Sequence, residues 1–220
     1  MEQKTQILCV VNTRQTAQEI FDLLPPAGSY HLSTRMTPEH RSGVLNEIRA
    51  RLHSGEPCRV VSTSLIEAGV DVDFPEVWRE MAGLDSILQA AGRCNREGTR
   101  SASESEVAVF TLPRGVPRGM QPNAVAAEMA TEGNEHIDEI PVIRRYFEQL
   151  YWQRGSQALD AKDIIKLCTK LNMRSIAESF HLIESDTRTV YIPTETNSDD
   201  IRLLKTGILS RSLMLCSAVR

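Results

Sequence analysis

The sequence predicts an α/β fold, a mainly parallel sheet flanked by helices, followed by a mostly helical C-terminal extension. Three observations carry this. Short apolar or β-branched runs, read as buried strands, alternate with amphipathic segments over roughly the first 110 residues, the pattern of crossover connections between parallel strands. Helix-start and helix-stop residues fall between those runs. Past a Pro/Gly/Arg-rich stretch at 113–122 the strand signals thin out and helical ones take over.

Taken in order, residues 6–11 read as a first strand. Asn12 and Thr13 stand where they can cap the next helix, with Gln15 in capping-box register to Asn12. Ala17, Ile20, Phe21 and Leu24 form its apolar stripe, and Pro25-Pro26 ends it. Residues 29–33 are a second strand. Thr37-Pro38-Glu39 then supplies a cap, a proline at the first helical position and an acid in the first turn. Val44, Leu45, Ile48 and Leu52 continue that stripe to a stop at Ser54-Gly55. A strand at 59–63 closes on hydroxyls, a short helix follows Thr63, and 77–81 is the next strand. A further helix starts near Ser86, after Gly83-Leu84-Asp85, and 107–112 is the last strand of the series.

The tail reads as helix over 124–153, interrupted at Gly133 and Pro141, and again over 163–171. Residues 180–184 and 188–192 read as a strand pair, and 199–215 as a final helix. The expected division is therefore 1–112 for the α/β domain and 113–220 for the extension.

Composition narrows the class. The 220 residues are 41% hydrophobic and 25% charged, as in ordinary soluble proteins. No apolar run approaches the roughly 20 residues that span a bilayer, and the polar start Met1-Glu2-Gln3-Lys4 is no signal peptide. These features predict a cytoplasmic protein without membrane contact. Cys9, Cys58, Cys94, Cys168 and Cys216 form no C-x-x-C pair, which argues for reduced thiols rather than a zinc site or disulfide framework. The five histidines show no ligand spacing, so no metal site is expected. The net charge of −4 runs against a dedicated nucleic-acid binder. Any such contact must be local or shared with something outside this chain.

The chemistry concentrates in two places. Gln89-Ala90-Ala91-Gly92-Arg93-Cys94-Asn95-Arg96 reads Q-x-x-G-R-x-x-R. On a helix Gln89, Arg93 and Arg96 would share one side. An amide and two guanidiniums on one stripe suit a polyphosphate, because guanidinium forks match phosphate oxygens and stay charged at any working pH. An isolated arginine pair on a helix is usually only a solvated face. Here it follows Thr63, Gly69 and Asp71 closely. A hydroxyl at a strand end can donate to a phosphate, a glycine lets backbone approach a ligand, and a carboxylate can accept from a ribose hydroxyl. Ligands of parallel sheets bind beyond the carboxyl ends of the strands. Thr63 lies at one such end, and the start of the helix bearing Gln89 lies near another.

These residues carry a resemblance. Thr63 to Asp71 looks like motif V of superfamily 2 helicases and Gln89 to Arg96 like motif VI. Ile7 to Thr13 with the following Arg14 to Leu24 looks like motif IV, and His31 to Arg41 like the block after it. Their order and spacing resemble the second RecA-like domain of such a helicase. The wording VVSTSLIEAGVDVDFP and QAAGRCNREG is similar to the helicase-nuclease recruited by type I CRISPR interference complexes, strongly over 7–98 and weakly over 107–193.

The resemblance implies a motor domain that works on single-stranded DNA, with ATP and Mg2+ held mainly by a first RecA-like domain. It implies Arg96 and Arg93 as candidate arginine fingers, with Arg96 preferred, and Gln89 as a γ-phosphate sensor or water-positioning group. It implies Gly69, Asp71 and Gly92 at the nucleotide, and Thr63, Ser33, Thr34 and Arg35 on the backbone of the tracked strand. A nuclease domain and the interference complex are the further implied partners. No G-x-x-x-x-G-K-[ST] and no D-E-x-H-like box occur in the chain. The phosphate cradle, its lysine and the magnesium carboxylate are thus missing, and the chain alone is expected to be inactive. Two other readings stay open: a stand-alone, non-catalytic module docking on a partner protein, and a superfamily 2 helicase of repair or RNA processing.

Overall fold

The computed structural model describes residues 1, 5–67, 69–134, 136–181, 190–193 and 197–206. Five strands form one sheet in the order β2-β3-β1-β4-β5: β1 (Gln6–Val10), β2 (Ser29–Leu32), β3 (Cys58–Ser62), β4 (Glu76–Glu80) and β5 (Glu106–Phe110). Every pairing is parallel. The α/β class read from the alternation is the class observed.

Successive residues of β1 serve opposite faces, as the two-residue period of a strand requires. Leu8 and Val10 join Leu32, Val60, Phe74 and Val77 in a buried cluster that Leu45 and Ile48 of α2 (Pro38–Ser54) and Ala90 of α3 (Leu84–Ala91) complete. Cys9 and Val11 join Val61 and Ala17 of α1 (Arg14–Phe21) on the other face. Burial pushes the Cys9 and Cys58 thiols up to about 12, so both act as small apolar fillers.

Helix ends differ in detail from the expectation. Thr13, not Asn12, caps α1, its side chain accepting from the Thr16 N–H. Asn12 is instead drawn to β4: its Nδ2 donates to the Met81 carbonyl at 2.9 Å. The α1 helix stops at Phe21, before the two prolines. The α2 helix begins at Pro38 under a Thr37 cap and ends on Gly55 at φ 75°, as expected. The segment after Thr63 is a single 3-10 turn, Ser64–Ile66.

Beyond β5 come α4 (Gln121–Thr131) and α5 (Ile140–Leu159), the latter broken at Gly155. Ala126, Ala127, Ala130, Val142, Tyr146 and Leu150 pack with Leu84 of α3 into one apolar cluster. The Tyr146 hydroxyl donates to Asp85 Oδ1 at 2.7 Å. A Cβ on Gly83 would stand 2.5 Å from both oxygens, so the glycine is what lets α3 start there. Through these contacts Met1–Ala161 forms one compact unit. Lys162–Arg220 forms another, containing α6 (Ile164–Thr169), α7 (Met173–Ser179) and α8 (Ser198–Lys205). The strand pair expected near 180–192 falls mostly on 182–189, and the end of the last helix on 207–220, outside the described residues.

Candidate functional site

The candidate residues separate onto the two edges of the sheet. At the carboxyl edge, Ser33, Thr34 and Arg35 follow β2 and Thr63 follows β3. Leu32 pairs with Ser62, so Ser33 and Thr63 leave the sheet side by side. Both are mostly buried, while Thr34 and Arg35 are exposed. Ser33 Oγ accepts from the Arg35 N–H at 3.4 Å, folding the loop back on the strand end.

The arginines lie elsewhere. The α3 helix ends at Ala91 and caps on Gly92, so Gln89, Arg93 and Arg96 do not form one helical stripe. The reason is tertiary. The Phe74 N–H donates to the Arg93 carbonyl at 2.8 Å, and the Asn95 N–H donates to the Phe74 carbonyl at 2.9 Å. This short parallel bridge takes the backbone groups a continuing helix would use. Asn95 then turns at φ 45°, a left-handed value asparagine tolerates. The run from Gly92 to Arg96 therefore sits at the far end of α3, beside the segment that enters β4. That is the amino edge of the sheet, not the carboxyl edge where the helix begins. Arg49, in the second half of α2, confirms the placement: its Nε donates to the Asp71 carbonyl at 2.9 Å.

At this amino edge Arg96 meets Asp71, Nε to Oδ1 3.1 Å, with side-chain exposures of 43% and 80%. Exposure of that order leaves the pair weak in water and both groups open to a ligand. The Arg96 N–H donates to Asp73 Oδ1 at 2.7 Å, and Asp73 Oδ2 holds Arg100 at 2.6 Å. A cleft of about 430 Å3 lies alongside, lined in part by Arg49, His53, Asp71, Asp73, Glu97 and Arg100. Gly69 sits at φ 72° with open space where a Cβ would be, so backbone conformation rather than crowding selects it. Gly92 has an ordinary φ, and a Cβ there would make only van der Waals contacts. Gln89 is exposed on the last turn of α3.

Arg93 is turned inward and buried. Its Nε donates to the Ile66 carbonyl at 3.0 Å and its Nη2 to the Glu67 carbonyl at 2.5 Å. Burial, then the neighbouring Arg96 charge, pull its pKa below the ordinary value, and Asp71 opposes them. Arg93 thus holds the turn after Thr63 in place, whereas Arg96 faces outward.

One polar cluster was not anticipated from the sequence. Arg79, fully buried on β4, places Nη1 2.8 Å from Asn12 Oδ1 and 2.7 Å from the Glu80 carbonyl, and Nη2 2.9 Å from Ser86 Oγ. Its Nε lies 3.1 Å from Glu67 Oε1, in ion-pair range without hydrogen-bond alignment. Ser86 Oγ stands 2.7 and 2.8 Å from the two Glu67 oxygens, and Glu80 Oε2 accepts from the Asn12 N–H at 2.7 Å. Burial lowers the Arg79 pKa, while Glu67 and then Glu80 pull it back up. An arginine inside an apolar strand, with an acid twelve residues before it, was the available signal.

Among the described residues no group of His, Cys, Asp and Glu could hold a metal ion, and no helix is long and apolar enough to cross a membrane. The donor set suits part of a nucleotide: an exposed guanidinium for phosphate and an exposed carboxylate for a ribose hydroxyl. Ligands for Mg2+ are not among them.

Residues 3–99 match a family model described as CRISPR-associated nuclease/helicase Cas3, C-terminal. Among curated proteins, the CRISPR-associated nuclease/helicase Cas3 of Haloferax volcanii is 43% identical over 96 residues, 41% of this chain and 10% of that protein. The one from Methanothermobacter thermautotrophicus is 31% identical over 108 residues, 48% and 13% of the two chains. The crystal structure of T. fusca Cas3 with ADP superposes with a TM-score of 0.54 at 17% identity, over 80% of this chain and 23% of that one. A CRISPR RNA-guided surveillance complex in a pre-nicking state gives a TM-score of 0.50 at 19% identity, over 79% and 24%. At such identities the solved structures show the fold alone. The chain spans about a tenth of the length of the curated relatives it matches. The likeness carried by motifs IV, V and VI is borne out.

Proposed function

We propose that this chain, whose first hundred or so residues form a second RecA-like domain of the superfamily 2 kind most like the C-terminal part of the CRISPR-associated helicase-nucleases, is the second motor domain of an ATP-dependent single-stranded DNA translocase acting in CRISPR interference. The observation that carries the reading is the meeting of Arg96 with Asp71, 25 residues apart in sequence, on one exposed edge. Asp71 accepts from the ribose. Arg96 leaves it for the γ-phosphate when the cleft closes, and neutralises the charge that spreads there as the bond breaks. Gln89, above it on α3, senses that phosphate or orients water, and Gly69 and Gly92 let the backbone follow the nucleotide. Mg2+ would be held mainly by the first RecA-like domain and would supply charge neutralisation at the phosphates. Arg93 is the weaker candidate for the finger, because two of its donors are already committed to carbonyls.

The opposite edge handles the strand. Thr63, Ser33, Thr34 and Arg35 lie together at the carboxyl ends of β2 and β3, where hydroxyl, amide and guanidinium donors fit successive phosphates. A five-residue strand is about 16 Å long, so ATP and DNA occupy opposite sides of one rigid sheet. Opening and closing against the first RecA-like domain converts hydrolysis into a step along the strand. The interference complex and a nuclease domain are the partners of the whole protein, in the cytoplasm.

In the full-length protein, Arg96→Ala should keep ATP binding and lose hydrolysis by on the order of 10³-fold. Near-normal DNA-stimulated turnover would reject the assignment. Stimulation by RNA instead of single-stranded DNA would favour a repair or RNA-processing branch. Recovery of only a non-nucleotide protein partner, with no motor domain carrying a Walker lysine, would favour the docking module.

A further inference from the structure

Between the two edges lies a run of hydrogen bonds that meets at Glu67. We infer that Glu67 is a positioning residue that passes a change at the Arg96 edge to the Thr63 edge, with Arg79 and Ser86 as its partners. The inference rests on the proposed function for what the edges bind, and on geometry for the connection itself.

Three residues before Arg96, the Arg93 guanidinium grips the carbonyls of Ile66 and Glu67. The Ile66 and Glu67 N–H groups donate back to Thr63 and Ser64 at 3.3 and 3.0 Å. A displacement of Arg93 is thereby carried by the backbone into the turn that starts at Thr63. The Glu67 carboxylate forms the second branch. It takes the Ser86 hydroxyl and faces Arg79, whose guanidinium reaches Asn12 next to the α1 cap Thr13. Asn12 is itself fixed twice more, by Glu80 Oε2 and by the Met81 carbonyl. The Arg79 side chain, on β4, therefore links the end of β1, α3 and the residue that follows the 3-10 turn.

Arg79, Glu67 and Glu80 are all buried, so water cannot replace a lost partner and the members must move together or stay fixed.

The test uses the full-length protein, segmentally labelled over these residues, with Mg·ATP as probe and backbone amide NMR as readout. In the wild type, amides of Arg96 and of Asp71 and Asp73 shift on titration, and those of Thr63, Asn12 and Thr13 shift along the same binding curve. In the pair Glu67→Gln with Arg79→Met the Arg96-edge shifts persist with unchanged affinity while the Asn12 and Thr13 shifts, which depend on the carboxylate branch, are lost; in Ser86→Ala they are reduced. In the double variant Glu80 keeps its bond from the Asn12 N–H, and retention of the fold is checked by the rest of the spectrum. A merely structural Glu67 would lower the melting temperature of the single variant and leave the remote shifts intact. Remote shifts of wild-type size in both variants, or none in the wild type, overturn the inference. If the Arg96-edge amides themselves do not respond to Mg·ATP, the nucleotide assignment of that edge fails, and the inference falls with it.

Discussion

Removing the Glu67 charge alone tests how tightly the cluster holds this domain together. In Glu67→Gln the buried Arg79 guanidinium keeps Asn12 Oδ1, Ser86 Oγ and the Glu80 carbonyl but loses the carboxylate beside its Nε. Breaking one partner of a buried pair costs about 3–5 kcal/mol, because the remaining charge stays out of water. Glu80 still lies nearby and helps keep Arg79 charged, so the expected loss is at the lower end, about 3 kcal/mol. The double variant Glu67→Gln with Arg79→Met removes both charges and fills the space with an apolar chain. Its expected cost is below that of Glu67→Gln, since such replacements are often neutral and what is lost is the Arg79 charge beside Glu80. Urea unfolding followed by circular dichroism gives both values, and the cycle with Arg79→Met alone isolates the coupling. A single-variant loss below about 1 kcal/mol, or a double variant worse than Glu67→Gln, would refute the view that these charges depend on each other.

Other outcomes follow from single positions. Gly43 lies inside α2 with open space where a Cβ would stand, so Gly43→Ala should stabilise by about 0.5–1 kcal/mol in the same urea assay. Gly28 has φ 74°, and a Cβ there would lie 2.3 Å from the Pro57 carbonyl oxygen, so Gly28→Ala should destabilise by more than about 1 kcal/mol. His31 stacks on Phe21 with centroids 5.6 Å apart, and burial lowers its pKa below 6.5, opposed by Asp22. The unfolded chain then binds the proton more readily, so the contribution of His31 is complete above 6.5 and is lost as pH falls towards the folded value. Thermal melts between pH 7 and 5 should show a steeper decline for wild type than for His31→Phe, which keeps the stack and removes the titration.

Local chemistry made much of the fold legible. The α2 helix could be read end to end because Thr37, Pro38 and Gly55 each act within one turn of their own position. The strands were legible because burial on both faces demands apolar, β-branched runs. Motif spacing drew attention to Asp71 and Arg96, 25 residues apart in sequence, and the structure brings their side chains together. The carboxyl-edge group was legible too, as hydroxyls at strand ends.

Tertiary structure decided the rest. Nothing local says that α3 must stop at Ala91: helical periodicity runs on through Arg93 and Arg96. Pairing with Phe74, some twenty residues upstream, ends it. That event turns Arg93 inward as a clamp on the turn after Thr63 and leaves Arg96 outside, beside the segment that enters β4. The Glu67–Arg79–Ser86 cluster likewise depends on long-range contacts, because Asn12 meets Arg79 only when β1 and β4 become neighbours. By itself the sequence determined which elements form and which residue types stand at the candidate site, since short-range sterics and burial set those. The arrangement of the arginines, and the buried Glu67–Arg79–Ser86 cluster, arose only when distant strands paired and their backbone and charged groups had to find partners in each other.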